Sequence, residues 1–191
     1  MTDGRRTQER GRQARRQVLE AALAVIAELP VAELQVQQIA ERAGMSPARV
    51  LYYFQSRDQI LTETFRWSER VLAERRAREL AAAGGPKERL AAFIRVYLPV
   101  DRHDVTWKLW LEAWLRSMSA AEMGRTAEEI DGGWKQDLVT ILEEGDFRPA
   151  PEFLDWFLPL LDGLAVHVLI GRLEPAEAAE VALGQALERL S

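Results

Sequence analysis

The chain has 191 residues, 48% of them hydrophobic, and a formal net charge of −5 at pH 7, which allows a full core in one helical body or in a small head with a larger domain. It has no cysteine, which excludes disulfides, thiolate metal sites and cysteine nucleophiles. No 18-residue apolar run is free of charged or polar interruption, so no membrane span is expected, and a charged N-terminus without an apolar signal region predicts a cytoplasmic protein.

Residues 1–14 carry Arg5, Arg6, Arg10 and Arg12 against Asp3 and Glu9. They read as a flexible basic arm, of the kind that lies along or enters a DNA minor groove. A disordered solubilising tail is the competing reading. Residues 1–60 sum to +2 and residues 61–191 to −7, so positive charge gathers in front of an acidic body. The first helix is expected from about Gln8 or Arg12 to Glu28. Val18, Ala22, Val25 and Leu29 form its buried stripe, and Pro30 ends it.

Residues 36–57, VQQIAERAGMSPARVLYYFQSR, carry the strongest signal. Val36, Ile39, Ala40 and Ala43 at i, i+3, i+4 and i+7 give a two-turn helix with one apolar face. Gly44 suits a left-handed C-terminal position, and Met45 is expected to pack in the turn. Ser46 is an N-cap and Pro47 a first-turn residue, so a second helix spans about Pro47–Tyr53. Val50, Leu51 and Phe54 are expected to face inward. Two short helices about a glycine turn are the pattern of a helix-turn-helix DNA reader. A plain corner in an all-α protein would share the periodicity.

A reading helix needs small residues at its tip and a long donor for base edges, and Ala48 and Arg49 fit. Tyr52, Tyr53 and helix N-terminal amides suit phosphates. Arg57 follows the cap Ser56, placed for another phosphate. The expected DNA-binding set is Arg5, Arg6, Gln35, Gln37, Ser46, Pro47, Ala48, Arg49, Tyr52, Tyr53 and Arg57.

Six more helices follow. The fourth runs from Arg57 to about Ala82, stopping at Gly84-Gly85. The fifth opens at Pro86 and ends near Pro99. The sixth spans about Asp104–Met118. Ser119, with Glu122 three residues on, resembles a capping box for the seventh, which reaches about Glu144 with a bend at Gly132-Gly133. Pro151 opens the eighth, ending at Gly171, and Pro175 opens the ninth. No strand pattern or repeat is present.

The eighth and ninth helices are apolar on too many sides for a lone surface pair. They are expected to meet a second copy of themselves through Leu161, Leu164, Val168, Val181, Ala182 and Ala186, with Gly163 and Gly184 allowing close approach. A two-fold dimer also suits a reader of two half-sites ~34–36 Å apart. A monomeric core is the alternative.

Trp107, Trp110 and Trp114 at i, i+3 and i+7, with Trp134, Asp155 and Trp156, could line an aromatic pocket for a flat or cationic small molecule of unknown identity. Ordinary core packing produces the same stripe. Pro159 would free the Asp155 carbonyl and kink the eighth helix. Asp162, Glu112 and His167 are further polar anchors. DRHD at 101–104 reads as a solvated turn. No nucleophile–base pair, phosphate loop or metal signature appears, so no enzyme and no cofactor are expected.

VLEAALAVIAEL at 18–29, IAERAG at 39–44, MS at 45–46, and LYYF followed by SRDQIL at 51–61 together resemble the N-terminal domain of the TetR/AcrR family of transcriptional regulators. WLEAW at 110–114 and LLDGL at 160–164 are similar to the ligand-domain pattern of its betaine-responsive branch. Gln35, Arg49 and Leu51 stand where the family usually has a threonine or serine cap, a small residue and a phosphate-reaching tyrosine. These departures bear on which DNA is read. The resemblance implies an all-α protein of about nine helices. Residues 15–61 would form a three-helix helix-turn-helix DNA-binding domain and residues 62–191 a helical ligand-binding and dimerisation domain. The partners implied are a palindromic double-stranded DNA operator, a second copy of the chain and a small-molecule effector, with no membrane. A helical small-molecule carrier or protein adaptor without specific DNA binding is the alternative.

Overall fold

A computed structural model describes residues 3–145, 147–148 and 152–190; the side chains of residues 3–5 and 7 are not among those described. Arg5 as a DNA contact and Pro151 as a helix opener therefore lie outside the described residues. Among the described residues the chain forms nine α-helices and no strand. They are α1 (Asp3–Glu28), α2 (Val36–Arg42), α3 (Pro47–Tyr53), α4 (Arg57–Ala82), α5 (Pro86–Tyr97), α6 (Val105–Ser117), α7 (Ala121–Glu144), α8 (Phe153–Leu169) and α9 (Pro175–Arg189), with a 3-10 turn at Val31–Glu33. They form two compact units. The first is Met1–Ser68 with Lys108–Thr126, and the second is Glu69–Trp107 with Ala127–Ser191. The sequence division at residue 61 thus differs from the packing, because the later turns of α6 and the start of α7 join the N-terminal helices.

In the first unit, Val18, Ala22, Val25 and Ile26 of α1 are buried with Ile39 and Ala40 of α2, Val50 of α3 and Phe65 of α4. Residues 3–14, expected as part of a flexible arm, belong to α1, which begins at Asp3. The segment is rich in Arg, Gln and Glu, which favour helix, and it simply continues a helix already nucleated by the core behind it. Leu51, expected inward, is exposed. With Val50 and Phe54 facing the core one turn apart, the intervening position is rotated outward.

Gly44 ends α2 with φ +62°. Its N–H donates to the Glu41 carbonyl at 3.2 Å and that of Met45 to the Ala40 carbonyl at 2.9 Å, the paired bonds of a Schellman motif. A Cβ at Gly44 would meet no atom within 4 Å, so the glycine serves backbone conformation alone. Gly44→Ala is expected to cost about 1–2 kcal/mol, a fall in melting temperature of roughly 2–8 °C for a chain of this size. An unchanged thermal melt would refute this account of the turn.

Long polar side chains from other elements close the helix ends of this unit. The Gln17 amide donates to the Ala43 carbonyl at 2.8 Å, and Arg15 donates to the Tyr53 carbonyl at 2.7 Å. Lys108 donates to the Ala27 carbonyl at 2.9 Å and the Ile26 carbonyl at 3.4 Å. Each satisfies carbonyls that a helix C-terminus leaves unpaired, and the cations favour the negative end of the dipole. Arg15 also lies 4.4 Å from the Phe54 ring centroid and 3.5 Å from the Glu63 carboxylate.

The second unit is built on Leu90, Phe93 and Ile94 of α5, Trp134 and Leu138 of α7, Phe157 and Leu161 of α8, and an alanine stripe on α9. Ala178, Ala182 and Ala186 are each fully buried; at i, i+4 and i+8 they let α9 lie close to both α8 and α5. α8 runs through Pro159, and α7 runs unbroken through Gly132 and Gly133. Ser119 does not cap α7. Its hydroxyl donates to the Arg116 carbonyl at 3.4 Å, so it closes α6 instead.

Candidate functional sites

α2, α3 and their caps carry most of the residues expected to contact DNA. Gln35 takes the N-cap position of α2 in extended conformation, and its N–H donates to the Gln38 side chain at 2.7 Å. This recovers a reciprocal cap from a residue that is a weak cap by type. Ser46 accepts from the Arg49 N–H at 3.2 Å, with Pro47 in the first turn of α3. Gln37, Ala48 and Arg49 are exposed. Tyr52 is 81% exposed, and its ring meets that of half-buried Tyr53 edge-on at 5.3 Å. Arg6 is exposed on the first turns of α1. Arg57 is used differently: its guanidinium donates to the carbonyls of Leu34 at 2.7 Å and Val31 at 2.5 Å. It ties the loop before α2 to the start of α4.

The structure divides the predicted tryptophan set. Trp110 packs edge-on against Phe65 at 4.8 Å and next to Trp114 at 5.8 Å, all within the first unit. Trp156, in the second unit, lies beside Phe157 and under the Arg189 guanidinium at 4.1 Å. Asp155 is exposed, and Glu112 is paired with Arg116.

Trp107 and Trp134 share a different centre, Tyr97. The Tyr97 ring stands edge-on to Trp134 at 4.9 Å and to Trp107 at 6.0 Å, with Phe93 5.6 Å from Trp134. The Trp107 indole N–H donates to the Tyr97 carbonyl at 3.0 Å. Carboxylates surround these rings. The Tyr97 hydroxyl donates to Asp162 at 2.7 Å, and the Trp134 indole N–H donates to buried Glu69 at 3.3 Å. Arg76, itself buried, lies 3.7 Å over the Trp134 ring and donates to Asp137 at 2.5 Å. Burial, followed by the charge of Asp162, pushes the Tyr97 hydroxyl up, so it stays protonated and donates. Burial also raises Asp162, against the lowering effect of the Tyr97 hydrogen bond, and the Asp131 charge adds to the rise.

Asp162 and Glu69 thus lie against the rings, while Arg76 with its partner Asp137 covers the Trp134 face. Sequence reasoning named Trp107, Trp134 and Asp162 but missed Tyr97, Phe93, Glu69 and Arg76. Phe93 and Tyr97 at i and i+4, facing an aromatic stripe, were the available signal.

Comparison with known proteins decides the family. The pattern of BetI-type transcriptional repressors, C-terminal, matches residues 86–191, and that of bacterial regulatory proteins of the tetR family matches residues 18–64. The chain belongs to the TetR family of transcriptional regulators. The HTH-type transcriptional regulator BetI of Brucella anthropi is 27% identical over 171 residues, covering 88% of each chain. A transcriptional regulator of Saccharomonospora viridis, crystallised in complex with choline, is 26% identical with a TM-score of 0.83, covering 92% of this chain and 96% of its own. A TetR regulator of Haloarcula marismortui shares the fold with a TM-score of 0.79 at 18% identity, covering 93% of this chain and 96% of its own. These relatives are regulators rather than enzymes. Among the described residues no helix is long and apolar enough to cross a membrane.

TetR-family regulators bind DNA and act as dimers with small-molecule effectors. Here the residues expected at a dimer face divide. Leu161, Val168, Ala182 and Ala186 are buried within the single chain, because α8, α9 and α5 pack on one another. Leu164 is half-buried and Val181 is 44% exposed. The outward stripe is Pro159, Gly163 and His167 on α8 and Ile170 directly after it, with Val181 and Gly184 on α9.

Proposed function

We propose that this TetR-family regulator is a homodimeric repressor of a palindromic operator, released by a small quaternary-ammonium or similar cation. Arg49 reads a base edge, and Tyr52, Tyr53 and the α3 N-terminus, with Ser46, Pro47 and Ala48 at the tip, sit on the phosphates. Gln35, Gln37 and Arg6 flank that surface. The outward stripe of α8 and α9, with Leu164 and Val181, covers its own copy.

The effector reading rests on one observation, the cluster of Tyr97, Trp107 and Trp134 with the carboxylates of Asp162 and Glu69. The choline held by the Saccharomonospora viridis relative supports the same chemistry. An effector of this kind acts only through preference for one conformation, on a scale of ~1–3 kcal/mol.

Choline and its neutral isostere 3,3-dimethylbutan-1-ol separate charge recognition from simple filling. Choline at a hundred times its dissociation constant is expected to stabilise the protein by about 2.7 kcal/mol and to release it from DNA taken upstream of its own gene. The neutral alcohol is expected to do neither. Equal melting shifts from the two molecules would sink the cation assignment, and no binding to any upstream DNA would sink the operator assignment.

A further inference from the structure

A cavity of about 510 Å³ lies in the second unit, between α5 and α9 with α4 at its edge, and its lining includes no residue of the Tyr97 cluster. Its volume is that of a small-molecule site. Three alanines create it: Ala91 on α5 and Ala176 and Ala179 on α9 face each other without side chains long enough to close the gap. Buried Leu98 and half-buried Leu183 complete an apolar floor. Val100, 56% exposed, leaves apolar surface at the rim.

The polar groups on this floor are unequal in charge. Arg75 and Arg95 stand against the single acid Glu180. Arg75 has a loose, solvent-exposed contact with Glu79 at 3.9 Å, a geometry that contributes little. Arg95 is exposed and has no carboxylate partner among the described residues. An apolar trough with two available guanidinium groups matches a molecule with a hydrocarbon tail and one anionic head. Guanidinium binds carboxylate through paired, charge-assisted hydrogen bonds.

We infer that this groove is a second ligand site, for an aliphatic carboxylate of medium chain length. The tail lies along Ala91, Leu98, Ala179 and Leu183, and the head group meets Arg95 and Arg75. The site is opposite in charge preference to the Tyr97 cluster and independent of it.

Titration calorimetry on the full chain with octanoate, octan-1-ol and acetate tests this. Octanoate is expected to bind. Octan-1-ol should bind about tenfold more weakly for want of the charge-assisted bonds, and acetate should not bind for want of the tail. Arg95→Gln, a surface change, should weaken octanoate about tenfold. Ala179→Leu should fill the trough and abolish octanoate binding while leaving the choline melting shift intact. Equal affinity for octanoate and octan-1-ol, undiminished octanoate binding to Ala179→Leu, or no octanoate binding at millimolar concentration would each overturn the inference. The choline arm fails or succeeds separately, so the two sites are judged apart.

Discussion

Arg49→Ala and Arg57→Ala are expected to weaken DNA binding for opposite reasons. Arg49 is exposed on the first turn of α3; its backbone N–H donates to Ser46, and its side chain has no partner among the described residues. Truncating its side chain should leave the melting temperature where it is. Losing one bidentate base contact costs about 1–3 kcal/mol of discrimination. A two-fold dimer loses it in both half-sites, so operator affinity should fall at least about thirty-fold. Affinity for unrelated DNA should change little, because the phosphate contacts remain.

Arg57 is 28% exposed and spends its guanidinium on the Leu34 and Val31 carbonyls. Bonds from a charged donor are worth about 1.5–3 kcal/mol each, and removal strands the acceptors. Discounted for the partial exposure of the side chain, Arg57→Ala should lower the melting temperature by roughly 4–8 °C for about 2 kcal/mol. It should weaken all DNA alike, because the loop that orients α2 loosens. Arg57→Lys should not restore stability, since one ammonium does not span the two carbonyls. Gel-shift titrations over a salt series, paired with thermal melts, separate the cases. A stable Arg57→Ala protein with a shallower salt dependence would make Arg57 a phosphate contact instead.

The contrast also marks what the sequence reveals. Caps and breakers act within four residues. Gly44, Ser46, Pro47, the Gly84-Gly85 pair, Pro86 and Pro175 accordingly place the helix boundaries and the reading motif from sequence alone. Interactions across the fold leave no such trace. Arg57 looks like any helix-start cation until the Val31 carbonyl, 26 residues away, is brought to it.

The apolar wrap of α8 and α9 fails for a related reason. Two helices apolar on several sides demand burial, yet periodicity does not say whether a second copy or the same chain supplies it. Here α5 and the α8–α9 contact supply much of it, taking Leu161, Val168, Ala182 and Ala186 inside. The tryptophan stripe of α6 shows the same limit. Trp107 turns to Tyr97 while Trp110 meets Phe65, a division that i, i+3, i+7 spacing cannot express. Tyr97 and Asp162 are 65 residues apart and meet only in the fold.

That pair should expose a cost that the protein carries for its effector. Asp162 is half-buried, facing Tyr97 on α5 and within the influence of Asp131 on α7, while Glu69 on α4 acts on the same tyrosine. Burial raises its pKa in the folded state above the unfolded value. The folded state therefore binds the proton more tightly, and stability declines as pH rises from the unfolded pKa, ~3.9, through the raised folded one. Above that window the deficit is constant.

Asp162→Asn keeps an acceptor for the Tyr97 hydroxyl and removes the charge. The variant should melt higher than the parent at pH 7, and the difference should shrink toward pH 4. Its choline affinity should fall about fivefold or more, the low end of the ~1–4 kcal/mol expected of a nearby carboxylate–ammonium attraction. Choline binding to the parent should in turn weaken as pH falls through the raised Asp162 pKa, while the weak binding of the variant should not change over that range. Thermal melts and choline titrations across pH 4–8 read all three. A variant that melts lower at pH 7, or binds choline as the parent does, would show that Asp162 serves the fold and not the cation.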